Sequence, residues 1–140
     1  LQRIARALRE RLQVEGREQE IEMRFDEGGL RIDLPSQVLF DSASAILRED
    51  AEPILGYVAE LLAGQQGISI EVRGHTDDRP LSSSSLYRDN YDLSYGRAKS
   101  VTAAISRAGQ LPMSAFEIVA LGPTDPIADN ATEEGRARNR

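Results

Sequence analysis

The sequence predicts an α+β fold: a mixed β-sheet with helices packed on one face, entered through a β-hairpin and continued in αβαβ order, with an amphipathic helix ahead of it. Three observations predict it. Apolar residues alternate with charged ones on both sides of Asp26-Glu27-Gly28-Gly29, which is period two around a glycine turn. Two later stretches, at 68–72 and 116–120, alternate in the same way. Between and around them apolar residues recur at three- and four-residue spacing, the period of a helix with one buried face.

Leu1, Ile4, Ala5, Leu8 and Leu12 share one helical stripe among arginines and glutamates, and Gly16 ends that helix. Acidic residues on its polar face argue against a membrane-surface helix. Residues 1–19 are therefore read as a docking or linker helix, and 20–140 as one domain. Ile21, Met23 and Phe25 form the first hairpin strand; Leu30, Ile32 and Leu34 form the second, closed by Pro35. Val38, Leu39 and Phe40 then pass into Asp41-Ser42-Ala43-Ser44-Ala45, which is either a loop tucked under the core or one wall of a pocket. Asp50 is placed to cap a helix with Pro53 in its first turn. Ile54, Leu55, Val58, Leu61 and Leu62 supply its apolar face, and Gly64 stops it. A strand over 68–74 ends at Gly74, and the serine run at 82–85 reads as a loop tip. The next helix spans 92–108 with Gly109 as its C-cap, followed by a short strand through Phe116, Ile118 and Ala120. A loop from Gly122-Pro123 through Asp125-Pro126 reaches Asn130, and Thr132 caps a last helix whose first turn carries Glu133 and Glu134.

Composition removes several function classes. The 140 residues suffice for one domain with its own core. A net charge of −6 without a basic block argues against nucleic acid, and the absence of tryptophan argues against a base-stacking platform. No cysteine is present, which removes disulfides and thiolate metal sites without deciding between periplasm and cytosol. No run is long and apolar enough to span a membrane. The chain starts without methionine and stops within a helical stretch. It reads as a fragment, with any signal peptide or anchor outside it.

The unusual chemistry lies between Arg73 and Arg97. Leu93, Val101, Ala104, Ile105 and Ala108 define an apolar stripe, and Arg97 falls inside it. A cation on an inner face requires compensation, and Asp77, Asp78 and Asp89 are the acidic candidates in the preceding loop. His75 is the single histidine, and no serine sits in a G-x-S-x-G elbow, so no catalytic residue is assigned. His75-Thr76-Asp77-Asp78 lacks the second cluster a zinc site needs and does not match a calcium loop, so no metal or other cofactor is expected. A metal-dependent hydrolase built on His75 and Asp77 is the remote alternative. The expected role of His75 is structural, its ring bonded to nearby backbone at a strand end. An aspartate at a strand's end and an arginine on the next helix place opposite charges around one cleft. The pair suits a zwitterionic ligand, the guanidinium taking a carboxylate and the aspartate an ammonium. An internal Asp77–Arg97 salt bridge explains the same residues equally well.

Gly74-His75-Thr76-Asp77, Leu93-Ser94 with Arg97-Ala98, and Gly135-Arg136-Ala137 with Asn139-Arg140 stand in an order that resembles the OmpA-like peptidoglycan-binding domain, over nearly all of 21–140. Within that family the long loop carrying Pro80, Ser83 and Asn90-Tyr91-Asp92-Leu93-Ser94, and the tail from Pro126-Ile127 to Ala137, resemble the flagellar stator B-subunit branch. The resemblance implies an OmpA-like fold and a non-catalytic domain that binds the diaminopimelate of the peptidoglycan stem peptide. It implies that Asp77 holds the ammonium and Arg97 the carboxylate, with Thr76 in the same motif. Phe40 and Asp41 match the pocket edge, through backbone contacts, while Arg136 and Asn139 match a mainly structural motif. It further implies a periplasmic homodimer, tethered to the inner membrane by an upstream transmembrane helix and paired with a MotA-like stator subunit. The alternative is the same cell-wall anchor in an outer-membrane protein or lipoprotein. Two positions depart from the stator pattern: Ala43 replaces a glycine, and Ala120-Leu121 replaces a glycine and tyrosine pair.

Overall fold

In the computed structural model, which describes residues 1–124 and 128–140, the alternating segments form the antiparallel strands β1 (Glu22–Asp26) and β2 (Gly29–Asp33). They pair from Glu22↔Asp33 to Asp26↔Gly29, and the Asp26 carboxylate accepts the Gly28 N–H at 2.8 Å to close the turn. Ahead of them runs α1 (Gln2–Val14), which packs on α3 (Glu52–Ala63). One helical turn, α2 (Ser36–Leu39), leads from the hairpin to Phe40, which bridges to Leu47. After α3 come β3 (Ile70–His75), α4 (Asn90–Gly109), β4 (Phe116–Gly122) and α5 (Glu133–Asn139).

The expected α+β order is present. Among the described residues, however, the strands form two two-stranded sheets, β1–β2 antiparallel and β3–β4 parallel, where the sequence suggested one mixed sheet. The hairpin attaches through side chains instead: Ile21 is in the core, and Met23, Ile32 and Leu34 pack against it. The core joins Leu8 and Leu12 of α1, Leu39 of α2 with the adjoining Phe40, Ile54 and Leu55 of α3, and Val101 and Ile105 of α4. Leu8, Leu12, Ile54 and Leu55 are at most 1% exposed, and each such side chain contributes about 1.5–3 kcal/mol on burial. Leu8 and Leu12 thus make α1 part of the same core as α3.

Three helix ends differ from expectation. Asp50 does not cap α3: a 3-10 turn over Glu49–Ala51 precedes the helix, Ala51 is its N-cap, and the Asp50 carboxylate accepts Arg48 at 3.1 and 3.3 Å. Pro53 does lie in the first turn. Helix α4 starts earlier than expected, capped by Asp89, whose carboxylate accepts the Asp92 N–H at 2.8 Å. It ends with Gln110 in the left-handed region at φ 52°, in place of a Gly109 cap. Gly109 serves packing instead, because a Cβ there would stand 2.9 Å from the Ala59 carbonyl oxygen of α3. Thr132 caps α5 as expected, accepting the Gly135 N–H at 3.0 Å. The Pro126 and Ile127 positions of the tail lie outside the described residues.

Helix α4 lies directly against β3. A Cβ on Gly74 would meet the Ser94 carbonyl oxygen at 2.2 Å, so the two backbones touch. This contact sets where the end of β3 stands relative to the first turns of α4.

Candidate functional site

The strand β3 ends in an irregularity at Gly74/His75, with His75 half-buried. The chain is then held to β4, because Thr76 N–H donates to the Gly122 carbonyl at 2.9 Å. The Thr76 hydroxyl donates to the Asp77 carbonyl at 2.8 Å. Thr76 and Asp77 are both buried, at 4% and 5% exposure, which fixes the carboxylate at the head of the loop.

Asp77 finds its partners within its own loop and at the far end of the chain. Its Oδ1 accepts the Arg79 N–H at 3.0 Å. Its Oδ2 accepts Arg79 Nε and Nη2 at 3.2 and 3.0 Å and stands 3.3 Å from Arg140 Nη1. Arg140 also pairs with Glu133 at 3.0 Å, and Arg79 approaches Glu133 at 3.8 Å. Asn90 closes the loop by donating to the carbonyls of Asp77 and Arg79 at 3.3 and 3.0 Å.

Arg97 projects from α4 and is 7% exposed. The sequence reading looked for an anion beside it among Asp77, Asp78 and Asp89. None of the three lies within ion-pair distance of its guanidinium, and the internal Asp77–Arg97 bridge is not formed. The compensation comes from main-chain dipoles. Nε donates to the Ser44 carbonyl at 2.8 Å and Nη2 to the Asp41 carbonyl at 3.2 Å, with the Phe40 ring 5.2 Å away. Ala43, between these two carbonyls, holds φ at 54°, and Ser100 Oγ donates to the Ala45 carbonyl at 2.6 Å. The 38–45 stretch thus puts Leu39 and Phe40 into the core while its carbonyls at Asp41 and Ser44 face Arg97. Burial pushes the Arg97 pKa below the usual guanidinium value, and Arg140 pushes the same way against Tyr87 and Asp77.

A guanidinium has five N–H donors along two usable edges. In Arg97 the Nε/Nη2 edge faces the carbonyls of 41–44. Nη1 has no protein acceptor among the described residues and is not sealed from solvent. The Nη1/Nη2 edge can therefore receive a carboxylate end-on.

Of the remaining sequence-derived candidates, Phe40 is buried against Arg97, and Asp41 contributes its carbonyl. The Asp41 carboxylate itself is 80% exposed beside Arg48. Asn139 is structural: it exchanges two 3.0 Å bonds with the Ala128 backbone and meets Asn130 Oδ1 at 2.7 Å. Arg136 donates to the Asn130 carbonyl at 3.0 Å. Sequence reasoning gave Arg79 no role, and it named Asn90 and Arg140 within motifs without placing them at Asp77. Arg79 had a signal in its two-residue spacing from Asp77, whereas Arg140 is joined to Asp77 by folding alone. An open groove between α3 and the end of α4, lined by Pro53, Tyr57, Glu60 and Gln110, shares no residue with this site.

The OmpA family profile matches residues 39–140, a span that contains Phe40, Asp41, Thr76, Asp77 and Arg97. Motility protein B of Bacillus subtilis (strain 168) is 30% identical over 123 residues, covering 88% of this chain and 47% of its own. The chain spans about half the length of the curated relatives it matches. Among solved structures, a MotB like protein from Desulfovibrio vulgaris superposes with a TM-score of 0.88 at 31% identity, over 99% of this chain and 88% of that one. The cell wall anchor of the T6SS from Pseudomonas aeruginosa superposes with a TM-score of 0.80 at 30% identity, over 95% of this chain and 91% of that one.

Proposed function

The chain belongs to the OmpA family, and from that premise we propose that it is a non-catalytic peptidoglycan-binding domain that anchors a flagellar motor stator to the cell wall. The ligand is the diaminopimelate of the stem peptide. Asp77 takes its ammonium, and the outer edge of Arg97 takes its carboxylate. Thr76 and Phe40 hold these two groups in place, and the Asp41 carbonyl orients the guanidinium. The observation that carries this reading is Arg97, a buried cation steadied by carbonyls, with one edge left for an incoming carboxylate.

The stator assignment draws on the likeness to the Bacillus subtilis and Desulfovibrio vulgaris proteins. No helix among the described residues is long and apolar enough to cross a membrane. It is the stator reading, by the likeness to those proteins, that proposes a periplasmic domain with a transmembrane tether and a MotA-like partner. The domain is proposed to act as a homodimer, which sedimentation analysis tests directly. A second reading, the same anchor serving another envelope machine, is favoured by the likeness to the T6SS cell wall anchor. Swimming restored by this chain in place of a stator B-subunit's periplasmic domain supports the first. Wall binding without swimming supports the second.

The ligand is tested by pull-down on purified sacculi. Asp77→Ala and Arg97→Ala each remove a charge-assisted contact worth about 1.5–3 kcal/mol, which corresponds to roughly ten- to hundred-fold weaker binding. Sacculi with lysine in place of diaminopimelate lack the carboxylate for Arg97 and are expected to bind as weakly. Folded variants that bind like the native chain would place the ligand elsewhere.

A further inference from the structure

We propose that Arg79 is an internal competitor for the ammonium position at Asp77: its guanidinium occupies the carboxylate in the free protein and must swing out before a ligand ammonium can bind. This rests on the ligand reading above and adds to it a residue that sets affinity. The Asp77 side chain is 7% exposed, so little of it is open to an incoming group. Its Oδ2 already faces Arg79 Nε, Arg79 Nη2 and Arg140 Nη1. The two Arg79 hydrogen bonds match the two lone pairs of that oxygen, and Arg140 adds a second cation 3.3 Å away. Oδ1 holds the Arg79 backbone N–H. A further cation arriving here would also meet two guanidiniums against one buried carboxylate.

The two arginines are not equivalent. The Arg140 side chain is 23% exposed and is tied to Glu133 at 3.0 Å, while its carbonyl accepts the Ser36 N–H at 3.3 Å. The Arg79 side chain is 49% exposed, and among the described residues its other ion-pair partner is Glu133 at 3.8 Å. It sits on the irregular segment between β3 and α4, fastened through its carbonyl by Asn90. Its side chain can therefore rotate into water while the backbone of the loop stays in place. Removing it leaves Arg140 and the residue-79 N–H to orient Asp77, with the Nε/Nη2 position vacated for an ammonium.

The apparent dissociation constant scales with the inverse of the fraction of protein whose site is open. Displacing a half-exposed ion pair corresponds to about a two- to five-fold effect. Sacculi binding is measured for the native chain, Arg79→Ala, Arg79→Gln and Asp77→Ala, on native sacculi and on sacculi whose free amines have been N-acetylated. Melting curves confirm that each variant is folded. Both Arg79 variants are expected to bind native sacculi about two- to five-fold more tightly, and this gain is expected to vanish on acetylated sacculi. The chain already carries −6, so loss of a cation would weaken a nonspecific attraction to an anionic wall, the opposite sign. Native-like or weaker binding by both Arg79 variants, with Asp77→Ala still defective, overturns the competitor and leaves the ligand reading standing. A gain that persists on acetylated sacculi does the same. Failure of the native chain and both Arg79 variants to bind overturns the ligand reading, and the competitor with it.

Discussion

Gly74→Ala tests the contact that joins the two halves of the site. Gly74 lies three residues before Asp77, and the residue it touches, Ser94, lies three before Arg97. A Cβ at Gly74 would stand 2.2 Å from the Ser94 carbonyl oxygen, 2.9 Å from its carbonyl carbon and 3.2 Å from its Cβ. Two of these atoms are backbone, so no rotamer change relieves the overlap. Ser94 is fully buried and is itself bonded to the Tyr91 carbonyl at 2.9 Å and the Gly122 N–H at 3.1 Å. Helix α4 must therefore move off β3 by about 1 Å to restore ordinary contact. Overpacking of this kind costs about 1–3 kcal/mol, which at this chain length lowers the melting temperature by about 4–12 °C. The same displacement carries Arg97 away from Asp77, so sacculus binding should weaken in parallel. Gly56→Ala in α3 is the control, because a Cβ there has no atom within 4 Å. It should raise stability by about 0.5–1 kcal/mol. A Gly74→Ala protein that melts with the native chain, while Gly56→Ala gains as expected, would refute the close-contact argument.

Two further outcomes are expected. Ala43 holds φ at 54°, a conformation costing an L-residue about 1–2 kcal/mol; allowing for the extra freedom glycine gives the unfolded chain, Ala43→Gly should stabilise by about 0.5–1 kcal/mol in urea denaturation, and an unchanged or lower midpoint would refute this. Hydrogen bonds from Arg140, then from Arg136, hold the Glu133 carboxyl below its usual range. Its pKa is thus lower folded than unfolded, so its contribution is complete above the unfolded value of about 4.3 and is lost as pH falls through the folded one. Glu133→Gln should melt below the native chain at pH about 6, and the gap should narrow as pH falls through the folded pKa; a gap independent of pH would refute the assignment.

Local periodicity carried most of the fold. The hairpin, the strand ending near Gly74 and the helix carrying Arg97 each follow from the spacing of apolar residues within one segment. Arg97 stood out for the same reason, as a cation in an apolar stripe. What stabilises it was not legible, because its acceptors are carbonyls of Asp41 and Ser44, and every residue type has a carbonyl. The partners of Asp77 divide in the same way. Arg79 is a neighbour in sequence, while Arg140 reaches Asp77 only after α5 has folded back onto the loop. Asp50 shows the converse error. It has the chemistry of a cap, but a 3-10 turn and Arg48 give its carboxylate another use.

The parallel pairing of β3 and β4 has a mechanical consequence. Both strands end at the site: β3 two residues before Asp77, and β4 at Gly122, whose carbonyl holds Thr76. Tension applied outward at Asp77 pulls β3 along its own axis. The ladder from Ile70↔Phe116 to His75↔Gly122 is then loaded in shear, and its hydrogen bonds share the force together. A hairpin drawn apart at its open end yields one pair at a time, and the β1–β2 hairpin contains neither Asp77 nor Arg97. Resistance to extraction should therefore be anisotropic, greatest for a pull along β3 and least for one that peels its end sideways from β4.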